Sequence, residues 1–472
     1  MSSACENISM SEPVRRLFWK YVLPTLAAVV INGLYVMVDG VFIGRYIGTN
    51  GLAAINLIWP LFGVLLGLGG MIGTAGAALC SIEKGRGDFE KARRYVGNSI
   101  ILLVAAGIFV YFFLHYTALP VLNLQIKDAP DVIAKGMEYV SVLQVAGVFT
   151  VSATAFPLLI RNDDHPNLAT KLMLAGAVSN IVGDWLLVAH LEWGMKGAAL
   201  ATVGAQGVIS LISLGHFFSR RANLRLKLND LRFSLQATVK TSVLGFSSFF
   251  MYVYFSFLGA LYNYVFDKYG GSVSVAAYAL VGYYSGLYYM FSEGLSAGIQ
   301  PIVSYNYGAG KYYNVRRVLQ MALKVVFISA AVFMAFIYIF PDFCIDLVNS
   351  KDPELHKASL TGLRLHLLTC YLEAFILVGT VYFQSVDNAK TATAVSCVNL
   401  FIQVPFVLLL PLKWGTEGIW LAYPVANVPL ALFVFIALTK DLRRKTKRLK
   451  KKHKEKLYDR LCKRDMLNVQ PQ

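Results

Sequence analysis

Charge is what this sequence has least of. Asp, Glu, Lys and Arg make up 15% of its 472 residues, against about 25% in soluble globular chains. With 56% hydrophobic residues and a mean hydropathy of +0.55, that shortfall excludes an ordinary water-soluble domain. Cysteine is also scarce. The six (Cys5, Cys80, Cys344, Cys370, Cys397 and Cys462) form no Cys-x-x-Cys pair and lie mostly in apolar stretches. Neither a disulfide framework nor a thiolate metal site is expected. There is no HExxH, no GxSxG and no nucleotide-binding glycine loop. His115, His190, His216 and His366 fall at the ends of apolar runs without ligand spacing. No enzyme activity and no cofactor is expected. A cleaved secretory leader is not expected either, because the first apolar run is too long and lacks a small-residue cleavage site. Alternating strands of about ten residues are missing, which argues against an outer-membrane barrel.

What is present is a series of long apolar runs. Twelve are predicted, near 17–43, 52–82, 95–118, 136–160, 168–190, 194–218, 240–266, 275–306, 318–341, 359–386, 391–412 and 417–439. In lipid each backbone amide must bond within its own segment, so these runs are read as helices. The fold class is an all-α integral membrane protein with twelve transmembrane helices.

Lys and Arg set the orientation. One set of termini and loops holds 35 of the 44; the other holds nine. Setting aside the 14 in the segment from Lys440 to Arg464 still leaves 21 against nine. Both termini are therefore expected on the cytoplasmic side of a bacterial plasma membrane. The basic tail supplies most of the net +17. Beside a last span it reads as a contact to anionic lipid, at about 1 kcal/mol per residue, and no nucleic-acid role is expected.

The sequence is also written twice. GRGDFEKARR (85–94) and GAGKYYNVRR (308–317) share their Gly-x-Gly and Arg-Arg ends at an offset of 223. Gly48 maps to Gly271 and Ala53-Ala54 to Ala276-Ala277 at the same offset. WGMKGAA (193–199) echoes WGTEGIW (414–420) at 221. This divides the chain into an N-terminus (1–16), a first lobe of six helices (17–218), a linker (219–239), a second lobe (240–439) and the tail (440–472). Six helices per repeat, an even number, insert both repeats in one orientation. That predicts an axis along the membrane normal, a central cavity and rocking of two lobes. Nothing calls for an oligomer. A channel would need a repeated selectivity ring, which is absent.

One acid stands out. In YVMVDGVFIGRY, Asp39 lies near the far end of an apolar run from Leu17 to Ile43. A carboxylate inside lipid costs about 2.5 kcal/mol or more and usually faces a bundle interior. The alternative is a solvated carboxylate at the membrane interface.

Taken together, the residues resemble the multidrug and toxic compound extrusion (MATE) family. The matching elements are VD-x-x-F-x-G in the first run, the Gly-x-Gly loops, N-x-x-x-D in the fifth, GAALAT in the sixth and QPIVSYNYGAG at 300–310. The resemblance covers about 15–440. It implies a V-shaped bundle and export of organic cations or other amphipathic compounds against Na+ or H+. It also implies a coupling-ion site at Asp39, Asn180, Asp184 and Thr202, with Asp39 and Asp184 as Na+ ligands if the ion is a metal. The residues fit that role in their own right. Asn180 and Asp184 share a helix face, and Thr202 follows small residues that permit close helix packing. Carboxylate, amide and hydroxyl oxygens suit a small hard cation, and two adjacent carboxylates can instead share a proton.

The second half is not symmetric here. Asp39 maps to Tyr262, and the acids are Glu293 and Glu373. These two, with Tyr283, Tyr288, Met290 and Gln300, are expected to line a substrate cavity, where aromatic rings suit flat cations. Two other functions compete. A lipid-linked precursor flippase of related helical plan would need a more cationic cavity. An intramembrane enzyme would need one of the missing catalytic motifs.

Overall fold

The computed structural model describes residues 12–126, 129–347 and 352–467, without the side chains of 255, 256 and 446–467. Residues 1–11, Lys127, Lys351, the Cys462 side chain and most basic side chains of the tail lie outside the described set. Among the described residues every regular element is helical.

Eleven helices among the described residues are long and apolar enough to cross a membrane. One of them, Leu235–Gly308, has 74 residues. Straight, it would measure about 110 Å, several times a bilayer core. It breaks at Gly271 (φ 63°, ψ −164°), so it makes two crossings and brings the total to twelve. The spans are Val14–Ile47, Thr49–Arg86, Phe89–Gln125, Pro130–Asn162, Pro166–His190, Gly194–Phe218, 235–270, 272–308, Tyr312–Ile339, Pro353–Ser385, Ala389–Leu409 and Pro411–Lys445; they are numbered span 1 to span 12 in that order. The tenth starts earlier than its apolar run suggests. Its first turns, Pro353–His366, are amphipathic and join the apolar part through a 3-10 turn at Leu367–Thr369.

The repeat is visible in the backbone. The glycines with positive φ among the described residues form three pairs: Gly48 (90°) with Gly271 (63°), Gly87 (84°) with Gly310 (72°), and Gly194 (58°) with Gly415 (54°). Their separations, 223, 223 and 221, are those of the sequence repeat. Two aspartates behave likewise: Asp164 (φ 68°) and Asp387 (φ 57°) are 223 apart. The left-handed region costs ordinary residues roughly 1–2 kcal/mol and is visited mainly by Gly, Asn and Asp.

Apolar side chains gather into one core made from spans 1 to 6 and two made mainly from spans 7 to 12. Span 1 belongs to both sides. Ile43 packs in the first lobe's core, while Val14, Leu17, Phe18, Tyr21 and Val22 pack in the second lobe's.

The lobes meet along half the bundle, at the face carrying Arg86 and Lys311, called here the basic face. Span 2 packs on spans 7 and 8, with Gly67 against Phe249, Gly70 against Tyr252 and Gly245 against the Met71 carbonyl. Span 1 packs on span 8 through Gly294 and Gly298, against Leu26 and Val22. At the face itself Ser81 Oγ donates to Asn162 Oδ1 (2.6 Å), and Asn162 Nδ2 donates to Gln300 Oε1 (2.7 Å) across the lobes. Beside them lies a fully buried ion pair, Lys84 Nζ to Asp164 Oδ2 at 2.8 Å.

Candidate functional site

Asp39 and Asp184 occupy matching places. Each lies at the end of an α-helix that continues as a π-helical turn, Ile43–Ile47 after span 1's α-helix and Trp185–His190 after Asp184. π turns widen a helix and recur at functional sites. Here they set the two carboxyl groups side by side in the first lobe, within reach of direct interaction.

Asn180 lies one turn before Asp184 and extends its Nδ2 to Thr202 Oγ1 of span 6 at 3.5 Å. Asp184 is fully buried and Asn180 and Thr202 nearly so. The structure thus brings together all four residues of the proposed ion site. Both oxygens of Asp184, Oδ1 of Asp39 and Oδ1 of Asn180 are buried without a hydrogen-bond donor. Acceptors left bare in a protein interior are costly, and a hard cation or a shared proton would satisfy them. A cavity of about 60 Å³ reaches Asp39 and Thr202 past Tyr35, Trp59 and Phe62. Asp184 does not line this cavity.

Tyr139 of span 4 was not read from the sequence. Its ring is buried, it lines the same cavity, and its hydroxyl interacts with Thr202 and both aspartates. One tyrosine among 26, in a span whose acids Asp131 and Glu138 are exposed and do not share its buried face, carries no local signal. The second lobe holds a neutral counterpart of the site. At an offset of 223, Asp39 and Asn180 become Tyr262 and Gln403, and Tyr262 Oη donates to Gln403 Oε1 at 3.2 Å. No carboxylate is left bare there.

The six expected cavity residues divide. Glu293 and Gln300 line a cavity between the lobes, just inside the Asn162–Gln300 contact. Glu373 lines a second one and accepts a hydrogen bond from Tyr423. The other three lie elsewhere. Tyr288 is buried in the second lobe's core with its hydroxyl on the Val326 carbonyl (3.0 Å). Tyr283 is 68% exposed and lines neither cavity. Met290 packs against Gly33 of span 1. Helical phase explains the division: 289, 293, 296 and 300 share a face, and Tyr289 is the span 8 aromatic residue that does line the cavity.

His216 is satisfied by a carboxylate rather than left to act as a ligand. Asp163, in the loop between spans 4 and 5, accepts from His216 Nε2 (2.9 Å), Asn223 N (3.1 Å) and Leu224 N (2.7 Å), and His165 Nδ1 lies 3.2 Å away. Such a triad could hold a metal by proximity. Its carboxylate, however, is already spent on N–H donors that pin the 219–226 segment to the first lobe. Burial pushes the Asp163 carboxyl up, but His165, His216, the Lys84 charge and the Leu224 amide together hold it below the ordinary range. The same carboxylate holds His165 above its ordinary value.

The family model MatE matches residues 24–186 and again 247–409. Both the starts and the ends of the two matches are 223 residues apart, as the repeat requires. The chain belongs to the MatE family. It is a multi-pass membrane transporter and not an enzyme. Multidrug export protein MepA of Staphylococcus saprophyticus subsp. saprophyticus is 22% identical to this MatE protein over 430 residues, 89% of this chain and 93% of that one. MepA of Staphylococcus aureus is 21% identical over 436 residues, 91% and 95% of the two chains. Two solved structures share the fold at a TM-score of 0.86 and 20% identity, covering 93% of this chain and 98% of theirs. One is the outward-facing conformation of a multidrug resistance MATE family transporter. The other is a MOP superfamily transporter from Pyrococcus furiosus described as having a binding pocket of reverse polarity.

Proposed function

We propose that this MatE protein is a secondary active exporter of small cationic or amphipathic compounds, driven by an inward gradient of Na+ or H+. The observation that carries the coupling role is the set of bare oxygens on Asp184, Asp39 and Asn180 in an otherwise apolar lobe. Two facing carboxylates repel unless a proton neutralises one or a metal cation lies between them. Either ion is then a transported substrate of the cluster. An ion that binds one arrangement of span 1 better than another shifts the lobe between them. Export of drugs is supported by the kinship with MepA along nearly the whole chain.

The basic face is read as cytoplasmic from its Lys and Arg excess. The lobes are closed there and the Asp39 cavity lies toward the opposite side, so the chain is read as facing outward. Among the described residues, the cavities at Glu293 and Glu373 are lined by these acids and by no Lys or Arg. That polarity suits cations better than a lipid pyrophosphate. The test is efflux of a fluorescent cation from liposomes holding the purified protein, under separately imposed Na+ and pH gradients. One of the gradients should drive efflux; accumulation indifferent to both would remove the exporter reading.

A further inference from the structure

The cavity at Glu293 carries two polar atoms that the fold leaves unused. Gln384, at the end of span 10, is 1% exposed, and its Nε2 donates to Ser247 Oγ (2.7 Å) and Ser248 Oγ (2.9 Å). Ser247 spends its own hydroxyl proton on the Leu244 carbonyl (3.0 Å), so it can only accept from Gln384. That fixes the amide: nitrogen toward the serines, oxygen toward the cavity. Gln384 Oε1 is buried there without a donor. Ser296 Oγ, on span 8 and 1% exposed, is likewise buried, unpaired and part of the lining. Between them Glu293 is held by Tyr252 Oη at 3.3 Å. Arg161 is close enough to feel Glu293, but it does not line the cavity.

The cavity measures about 70 Å³, a little over twice the roughly 30 Å³ that a water occupies in the liquid. A polycyclic drug does not fit in it; a head group does. Thr74 and Leu158 of the first lobe close it against the second lobe's residues, and Gln300 bonded to Asn162 forms its floor.

We infer that this cavity is a head-group subsite for cations that donate N–H hydrogen bonds, such as amidinium, guanidinium or primary ammonium, with Gln384 Oε1, Ser296 Oγ and Glu293 as acceptors. The inference rests on the exporter reading for its biological meaning and goes beyond it by separating N–H cations from quaternary ones. Both classes gain the charge of Glu293. Only the first satisfies the bare acceptors, and a hydrogen bond to a charged donor is among the stronger ones in proteins. The subsite joins both lobes, so a head group seated in it lies where their separation at the basic face would dismantle it.

The test is calorimetric titration of the purified full chain in detergent, with no gradient, using benzamidinium and benzyltrimethylammonium as probes. Benzamidinium should bind about tenfold or more tightly. Gln384→Leu should lower benzamidinium affinity about tenfold and leave benzyltrimethylammonium within twofold. Gln384 also braces Ser247 and Ser248, so Ser296→Ala, which removes only an unpaired hydroxyl, gives a second reading: a loss of about threefold for benzamidinium alone. Equal affinities for the two probes in the wild type, or a Ser296→Ala protein that binds both unchanged, would overturn the inference. Binding without a gradient is independent of transport, so failure of dye efflux in liposomes would strike the exporter reading and not the subsite.

Discussion

Gly85 and Gly308 lie 223 residues apart, and each presses on the backbone of the other's helix. A Cβ at Gly85 would run into the Tyr305 carbonyl, and a Cβ at Gly308 into the Ile82 carbonyl. Ile82 and Tyr305 are themselves 223 apart, so the two contacts are one contact repeated about the axis between the lobes. The obstructing atoms are backbone and cannot swing aside. Gly85→Ala or Gly308→Ala should therefore keep the lobes from closing at the basic face. Overpacking typically costs 1–3 kcal/mol, enough to shift the closed population about tenfold. Spin labels at exposed Arg86 and Lys311 should move apart in either variant. An unchanged distance distribution would contradict the contact.

A Gly-x-Gly between two spans permits a tight turn. The structure divides the work: Gly87 and Gly310 take the positive φ, and Gly85 and Gly308 allow the close approach. The repeat itself was legible, since offsets of 223 and 221 survive in residues that backbone geometry constrains. Asp39 stood out because an acid is conspicuous in an apolar run, whereas Asn180, Asp184 and Thr202 came from the family resemblance. Tyr139, Tyr289 and Gln384 were not legible. Their contribution depends on which helix face meets which neighbour, and aromatic or amide residues in a crowded span do not announce their face. The Asp163–His216 contact joins residues 53 apart that no motif connects.

The loop anchor at Asp163 should respond to pH. The carboxylate holds His165 above its ordinary value, so the protonated form contributes stability. That contribution is complete below the unfolded value, about 6.5, and fades as pH rises through the folded one. Asp163 is shifted down, so its own contribution is present above about pH 3.9 and is lost in stronger acid. His165→Ala should lower the Tm more at about pH 5.5 than at about pH 8.5, on either side of the ordinary histidine value. Equal losses at both would show that the imidazole charge plays no part.

Glu293 and Glu373 are expected to govern substrate range more than ion coupling, because the bare carboxylate oxygens of Asp39 and Asp184 sit in the other lobe. Glu293→Gln and Glu373→Gln should each weaken cationic substrates about tenfold, the scale of a lost charged hydrogen bond. Neutral amphipathic substrates should be spared. Uncoupling of every substrate from the ion gradient by either variant would move the coupling site to the second lobe.

The basic tail begins later than its charge suggests. Tyr382 Oη donates to Asp441 Oδ2 (2.7 Å), and Lys445 Nζ pairs with the same oxygen (2.5 Å) over the Tyr307 and Tyr382 rings. A cut after Lys440 removes this packing, whereas a cut after Lys445 keeps it. The longer form should transport at the wild-type rate per inserted molecule, with altered dependence on anionic lipid. Loss of transport by correctly inserted protein ending at Lys445 would give the tail a part in the cycle.

Asp39 lines the cavity and the buried Asp184 does not, and on this account an ion entering there meets Asp39 first. Asp39→Asn preserves shape and removes the charge that makes the pair demand a cation. The variant should insert and fold normally. Asp184→Asn should match it, and the double variant should cost little more than either alone, because both groups serve one site. The most direct measurement is gradient-driven efflux of a fluorescent cation by Asp39→Asn protein reconstituted in liposomes. The account predicts that efflux falls to the level of protein-free vesicles while substrate binding persists. Wild-type efflux with unchanged ion dependence would contradict it.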